Sequence, residues 1–226
     1  MIKFYYMAGP NPMKVALMLE ETGLPYEVTL INVGKGEQFT PELTAINPNN
    51  KLPVIIDGDT TVFDSNAILL YLAEKTGQFL PETGSPGRGE LLSWLMFVAS
   101  GVGPYTGQAV HFIHYAPEPK TYGVERYSFE ARRHYGILNA RLADREWMLG
   151  DRYTIVDMAV WGWARILPSV FGPEVKDEFP HLKRLLNAIK ARPAAVRAVA
   201  LKDRFPLEMK VDDEFRRNMF RFLPKE

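Results

Sequence analysis

Apolar and polar positions change period several times over the first eighty residues. Ile2–Tyr6 predicts a short strand, closed by Gly9-Pro10. Asn11-Pro12 then reads as a helix start, because asparagine is a good N-cap and proline suits the first helical position. Val15, Leu17, Met18 and Leu19 continue that helix to Gly23, a suitable left-handed C-cap. Tyr26–Ile31 predicts a second strand, Thr40-Pro41-Glu42 a second helix start, and Asn47-Pro48-Asn49-Asn50 a loop. The runs 53–57 and 60–63 flank Gly58-Asp59 as a hairpin, and residues 67–73 (AILLYLA) predict a buried helix after Asp64-Ser65-Asn66.

The order is β-α-β-α-β-β-α. A helix between the first two strands makes them a parallel pair, and the hairpin adds an antiparallel pair. Pro81, Gly84, Pro86 and Gly87 crowd the stretch 78–89, as in a linker. Beyond it the spacing is helical throughout, over 91–115, 122–145, 155–167 and 181–192. Thr154 to Asp157 forms a capping-box pattern with Asp in place of the usual Glu or Gln. The expected architecture is a small α/β domain over 1–80, an all-helical domain over 88–205, and a tail over 206–226 that wraps back on the body.

Composition narrows the chemistry. The 226 residues carry 27 Lys+Arg against 27 Asp+Glu and no cysteine. Zero net charge and an isoelectric point near 6.9 argue against a nucleic-acid partner or an anionic membrane held by bulk charge. Without cysteine there is no disulfide, thiolate nucleophile or Cys-based metal site. No 18-residue apolar run spans a bilayer and the N-terminus lacks a signal-peptide pattern, so a cytoplasmic location is expected. His111 and His114 sit three apart with no evident third ligand; no metal is expected.

Three loops converge at one sheet edge in this order: Met7–Asn11, Lys51-Leu52-Pro53 and Asp64-Ser65. Two helix starts offer free backbone donors and partial positive charge to anions. Leu52 precedes proline, so it is extended, and its N–H and C=O are free to pair with a peptide backbone. Lys51 adds a cation, Ser65 a donor, and Asp64 an acceptor for an ammonium. A zwitterionic peptide with an extra carboxylate matches this set. Each residue also has an ordinary role: Asn11 and Ser65 as helix caps, Lys51 as a solvated lysine, Pro53 as a strand start, Tyr5 and Tyr6 as strand core.

Asn50-Lys51-Leu52-Pro53, Asp64-Ser65 followed by Ala67-Ile68-Leu69-Leu70-Tyr71-Leu72, and the Thr154–Asp157 cap resemble glutathione transferases over nearly the whole chain. Asn11 after Pro10, Gly34-Lys35-Gly36 with Gln38, Pro48-Asn49-Asn50-Lys51, and the stretch from Gly107-Gln108 to Glu125-Arg126-Tyr127 resemble the bacterial nu class more narrowly. Members of that class are glutathione-dependent disulfide reductases related to the yeast nitrogen-regulation prion protein. The resemblance implies a thioredoxin-like first domain, a homodimer, and a cis Pro53 with Leu52 pairing the cysteinyl unit of glutathione. It implies that Asp64 and Ser65 hold the γ-glutamyl end, and that Lys51 and Gln38 hold the glycine end. Asn11 would donate to the sulfur, and Arg126 would reach its own or a neighbouring subunit's site. Gly9 stands where threonine is usual, and Asp64 where glutamate is commoner.

In a chain with no thiol of its own, the reacting sulfur belongs to the ligand. A free thiol of pKa about 8.5 is about 3% ionised at pH 7, and lowering it by about two units raises that to about 75%. The expectation is a glutathione-dependent transferase or disulfide reductase acting on a small electrophile or disulfide, with reduced or oxidised glutathione as co-substrate. The alternatives are a non-catalytic binding or regulatory module of the same fold, and a specialised glutathione-dependent lyase or isomerase.

Overall fold

The computed structural model describes residues 1–116, 120–207 and 210–220. The first domain runs β1 (Ile2–Tyr6), α1 (Pro10–Thr22), β2 (Tyr26–Leu30), α2 (Pro41–Ile46), β3 (Val54–Asp57), β4 (Thr60–Phe63) and α3 (Ser65–Thr76). Its sheet has the order β2-β1-β3-β4, with β1 parallel to β2 and antiparallel to β3, and the β3–β4 hairpin antiparallel. Gly58 turns that hairpin at φ +60°, a left-handed conformation that favours glycine. Ile2, Phe4 and Tyr6 alternate into the core.

α1 starts earlier than its sequence suggests. Gly9 is the N-cap, its carbonyl accepting the Met13 N–H at 3.1 Å, and Pro10 fills the first helical position. Asn11 therefore lies inside the first turn, and the expectation that it caps the helix is wrong. At α3 the cap is Asp64, not Ser65. Held at φ 69°, its carboxylate accepts from the N–H groups of Asn66 (2.9 Å) and Ala67 (3.2 Å).

The helical domain holds α4 (Pro86–Phe97), α5 (Gly103–Val110), α6 (Thr121–Arg141), α7 (Ile155–Ala164), α8 (Leu167–Phe171), α9 (Val175–Glu178), α10 (Pro180–Lys190) and α11 (Pro193–Arg204). The run expected to be helical over 91–115, interrupted at Gly101-Val102-Gly103-Pro104 where small residues allow a kink, carries wide π turns at Val98–Val102 and His111–Tyr115. Pro104 has no N–H for the carbonyl four residues back, which loosens the first of these. The Thr154–Asp157 capping box is present, and the buried Asp157 carboxylate also accepts from Met148 N–H at 2.8 Å. Burial pushes that carboxyl up to about 6, against the backbone and hydroxyl donors that stabilise its charged form.

α11 was not expected: Pro193 ends one helix pattern but opens the next. Arg192 and Arg197 bracket its first turns and hold Glu21 and the Glu20 carbonyl of α1, at 3.0 and 2.9 Å. α1 packs against α3 on one side and α7 and α11 on the other. Residues 12–19 are accordingly buried around the whole helix, including Lys14.

In the tail, α12 (Asp213–Met219) is capped by Asp212 and lies on the turn at 33–35. Phe215 packs on Gly34, and Asn218 Nδ2 donates to the Gly34 carbonyl at 2.7 Å. Phe222 falls outside the described residues.

Candidate active site

Two cavities of about 370 and 410 Å³ meet between the domains and share Asn11, Lys51, Leu52, Gly107 and Trp163. The first adds Lys14, Asp64, Ser65 and Asn66 from the α/β domain and Gly103, Pro104 and Gln108 from α5. The second adds Gly9, Gln38 and Asn50, His111 and Tyr115 from the second π turn, and Met219 and Phe220 from the tail. Burial lowers the His111 pKa and raises that of Tyr115, so both sit neutral at pH 7.

Local structure explains how each wall is held. Asn47 Nδ2 donates to the Lys51 carbonyl at 2.7 Å, and Asn50 Nδ2 donates to Thr44 Oγ1 (2.7 Å) and the Gln38 carbonyl (3.1 Å). These bonds pin the loop that presents Leu52, whose peptide to Pro53 is cis. Leu52 makes no backbone hydrogen bond among the described residues, which leaves its N–H and C=O to a ligand. The first-turn N–H groups of Asn11 and Ser65 have no intrahelical acceptor. Two helix starts and one unpaired peptide edge therefore face one space.

Asn11 sits at the meeting point of the two cavities. Its Oδ1 accepts from Trp163 Nε1 at 2.9 Å and from Ser65 Oγ at 3.3 Å. Behind Ser65 lies Lys14, only 1% exposed, whose ammonium donates to Ser65 Oγ (3.2 Å) and Asn66 Oδ1 (3.3 Å). Desolvation drops the Lys14 pKa to about 7, with nearby Asp64 opposing the fall.

The sequence-expected residues are thus largely gathered here. Gly9, Asn11, Gln38, Lys51, Leu52, Asp64 and Ser65 line the two cavities, with Pro53 directly behind Leu52. Gln38 Nε2 donates to the Asn218 carbonyl at 3.2 Å, and its buried Oε1 has no partner among the described residues. Arg126 lines neither cavity; its guanidinium pairs with Glu130 Oε1 at 2.9 Å on α6. Tyr6 is fully buried with its hydroxyl on Met13 Sδ at 3.6 Å, and Tyr5 lines neither cavity. Among the described residues no cluster of three or more His, Asp or Glu could hold a metal, and no helix is long and apolar enough to cross a membrane.

Lys14 was missed by sequence reasoning. It is the one charged residue between Pro10 and Leu19, a signal that could have flagged it.

Residues 1–74 match the family model for the glutathione S-transferase N-terminal domain, and residues 104–193 that for the C-terminal domain. The chain belongs to the glutathione transferase family. Among curated relatives it is 40% identical over 208 residues to the disulfide-bond oxidoreductase YfcG of Escherichia coli, covering 88% of this chain and 94% of that one. A glutathione transferase from Burkholderia graminis, solved with two glutathione molecules per subunit, is 41% identical with a TM-score of 0.83, covering 88% and 87% of the two chains. One from Pseudomonas putida, solved with a glutathione disulfide per subunit, is 34% identical with a TM-score of 0.82, covering 88% and 90%. Within this transferase fold, the paired cavities around Asn11 lie where the two domains meet.

Proposed function

We propose that this protein is a glutathione-dependent disulfide reductase that seats two glutathionyl units, one per cavity, with their sulfurs meeting at Asn11. The observation that carries this reading is the sharing of Asn11, Lys51, Leu52, Gly107 and Trp163 by two adjoining cavities of similar size. Leu52 pairs the cysteinyl backbone, Ser65 N–H and the α3 start hold the γ-glutamyl carboxylate, and Asp64 faces its ammonium. Lys51 takes the glycine carboxylate; Gln38 joins it only on giving up Asn218. Arg126 belongs to this reading only if a ligand draws it from Glu130.

The α1 start, Asn11 Nδ2 and a backbone N–H stabilise the first glutathione as thiolate. That thiolate attacks one sulfur of a disulfide RSSR, forming GS–SR and releasing RS⁻, which takes up a proton. The second glutathione thiolate attacks the glutathionyl sulfur of GS–SR, giving GSSG and a second RS⁻. The sum is 2 GSH + RSSR → GSSG + 2 RSH, and the protein supplies no electron of its own. Conjugation to an electrophile uses the same first thiolate.

The α/β unit over 1–80 supplies the glutathione contacts, and the helical unit over 88–205, with the tail, shapes the disulfide side. A homodimer is part of the reading, supported by exposed Phe63 on β4, Leu92 and Met96 on α4 and Phe129 on α6. A cytoplasmic location supplies the reduced glutathione the reaction consumes. Calorimetric titration tests the core claim: two reduced glutathiones or one oxidised dimer should bind per chain, with turnover of a small disulfide. Binding of neither form, or of one reduced unit without disulfide turnover, overturns it.

A further inference from the structure

We propose that Trp163 is a positioning residue for Asn11, its indole N–H holding the amide oxygen so that the amide NH₂ is turned to the thiol of bound glutathione. The inference rests on the reading of Asn11 given above.

An asparagine amide has two ends of nearly equal shape, one a double donor and one an acceptor, and only its surroundings decide which end faces a ligand. The indole N–H of Trp163 is a donor with no acceptor capacity, so at 2.9 Å it selects the oxygen. The other contact agrees. As an ammonium, Lys14 Nζ is also a donor only; it points at Ser65 Oγ from 3.2 Å and occupies one of its lone pairs. The Ser65 hydroxyl proton is thereby directed to Asn11 Oδ1, 3.3 Å away. With Lys14 protonated the chain runs Lys14 to Ser65 to Asn11, and in either protonation state of Lys14 the indole N–H, which never accepts, fixes the amide oxygen toward Trp163. Only the NH₂ end of the amide remains for the cavity. With the amide reversed, its carbonyl would face the thiolate and raise the thiol pKa rather than lower it.

The indole is itself held in place. A Cβ on Gly103 would lie 3.0 Å from Trp163 Nε1, and one on Gly107 would lie 3.4 Å from the far edge of the ring. These two glycines of α5, one turn apart, form the shelf on which the ring rests. α7 carries Trp163 to that shelf, and α1 carries Asn11 to meet it. The helical domain thus sets the orientation of a donor belonging to the α/β domain.

The test is Trp163→Phe, which keeps an aromatic ring, though a smaller one, and removes the N–H, with Asn11→Ala and wild type alongside. The readouts are the pH titration of bound-thiolate ultraviolet absorbance, glutathione affinity, and kcat/KM for disulfide reduction. The expected result is a thiol pKa raised by about one unit and kcat/KM at pH 7 down about threefold, following the thiolate fraction, with glutathione affinity within about twofold of wild type. Gly103→Ala, which retains the N–H but crowds the ring off its shelf, should shift the thiol pKa the same way; it carries the test if Trp163→Phe does not fold. A wild-type thiol pKa in both variants, with Asn11→Ala raising it, overturns the role of Trp163 and leaves Asn11 standing. An unperturbed thiol in wild type, or no effect of Asn11→Ala, overturns both.

Discussion

The Lys14 ammonium lies 3.2 Å from Ser65 Oγ in a seam closed to solvent, with the Asn66 amide oxygen as its only other acceptor among the described residues. A buried cation without a carboxylate in direct contact is costly, and its cost depends on pH. The pKa falls from 10.5 in the exposed chain to about 7 in the fold. Between those values the unfolded chain binds more protons, so folding stability rises with pH from about 7 toward 10; below 7 both states are protonated and the full cost remains. A difference of about 3.5 units corresponds to at most about 5 kcal/mol. Urea unfolding across that window should show the rise, and Lys14→Met should flatten it. Parallel curves for the two proteins would mean that Lys14 keeps its ordinary affinity for protons.

Asn11→Ala should lower kcat/KM for disulfide reduction at least about tenfold, the effect at pH 7 of losing most of the roughly two units of thiol acidification. Glutathione affinity should stay close to wild type, because Leu52, Ser65 and Lys51 hold the backbone and termini of the ligand. Steady-state kinetics beside calorimetry separate the two. Unchanged turnover would take Asn11 out of the mechanism.

Gly9 has an extended backbone (φ −157°), caps α1 without a side chain, and has room for a Cβ whose nearest neighbour is Pro12 at 3.7 Å. Gly9→Thr should therefore fold normally, with stability within a few tenths of a kcal/mol. The added hydroxyl borders the second cavity beside Asn11 and should lower the thiol pKa and raise kcat/KM at pH 7. A titration identical to wild type would show that this position does not reach the sulfur.

A Cβ on Gly101 would lie 2.5 Å from Nε2 of His134, a buried ring in tilted contact with both Phe97 and Tyr105. Neither neighbour leaves the imidazole room to retreat. Gly101→Ala should cost about 1–3 kcal/mol of folding free energy as an overpacked core. Thermal unfolding measures it, and an unchanged midpoint would mean that the π turn at Val98–Val102 absorbs a methyl group freely.

Asp157 satisfies the N–H groups of Met148 and Thr154, both at 2.8 Å, inside the helical core. Asp157→Ala leaves those donors without partners and removes the Asp157 half of the α7 capping box, for roughly 2–5 kcal/mol by denaturant unfolding. A loss under about 0.5 kcal/mol would show that water replaces the carboxylate.

The sheet was legible because its signals are local. Gly58-Asp59 marks the hairpin, and alternation at Ile2, Phe4 and Tyr6 marks the central strand. Local rules failed where neighbours decide. Asn11 looks like a cap from its own residue type, yet Gly9 and Pro10 fill the capping positions and leave its side chain to Trp163, 152 residues away. Gly101-Val102-Gly103-Pro104 marks an interruption in the helical run from Leu91 to Tyr115, but the second π turn, at His111–Tyr115, has no such local signal.

From its sequence alone this chain determined a β-α-β-α-β-β-α unit followed by helices, and the residue types that suit a thiol-bearing peptide. Those depend on backbone propensity, apolar period and short motifs, which act within a few residues. Only the tertiary structure decided which end of the Asn11 amide faces the cavity, that Lys14 is sealed behind Ser65, and that Gln38 is engaged by the tail. Each of these is a hydrogen bond or a desolvation between distant segments, and its energy exists only once packing has brought them together.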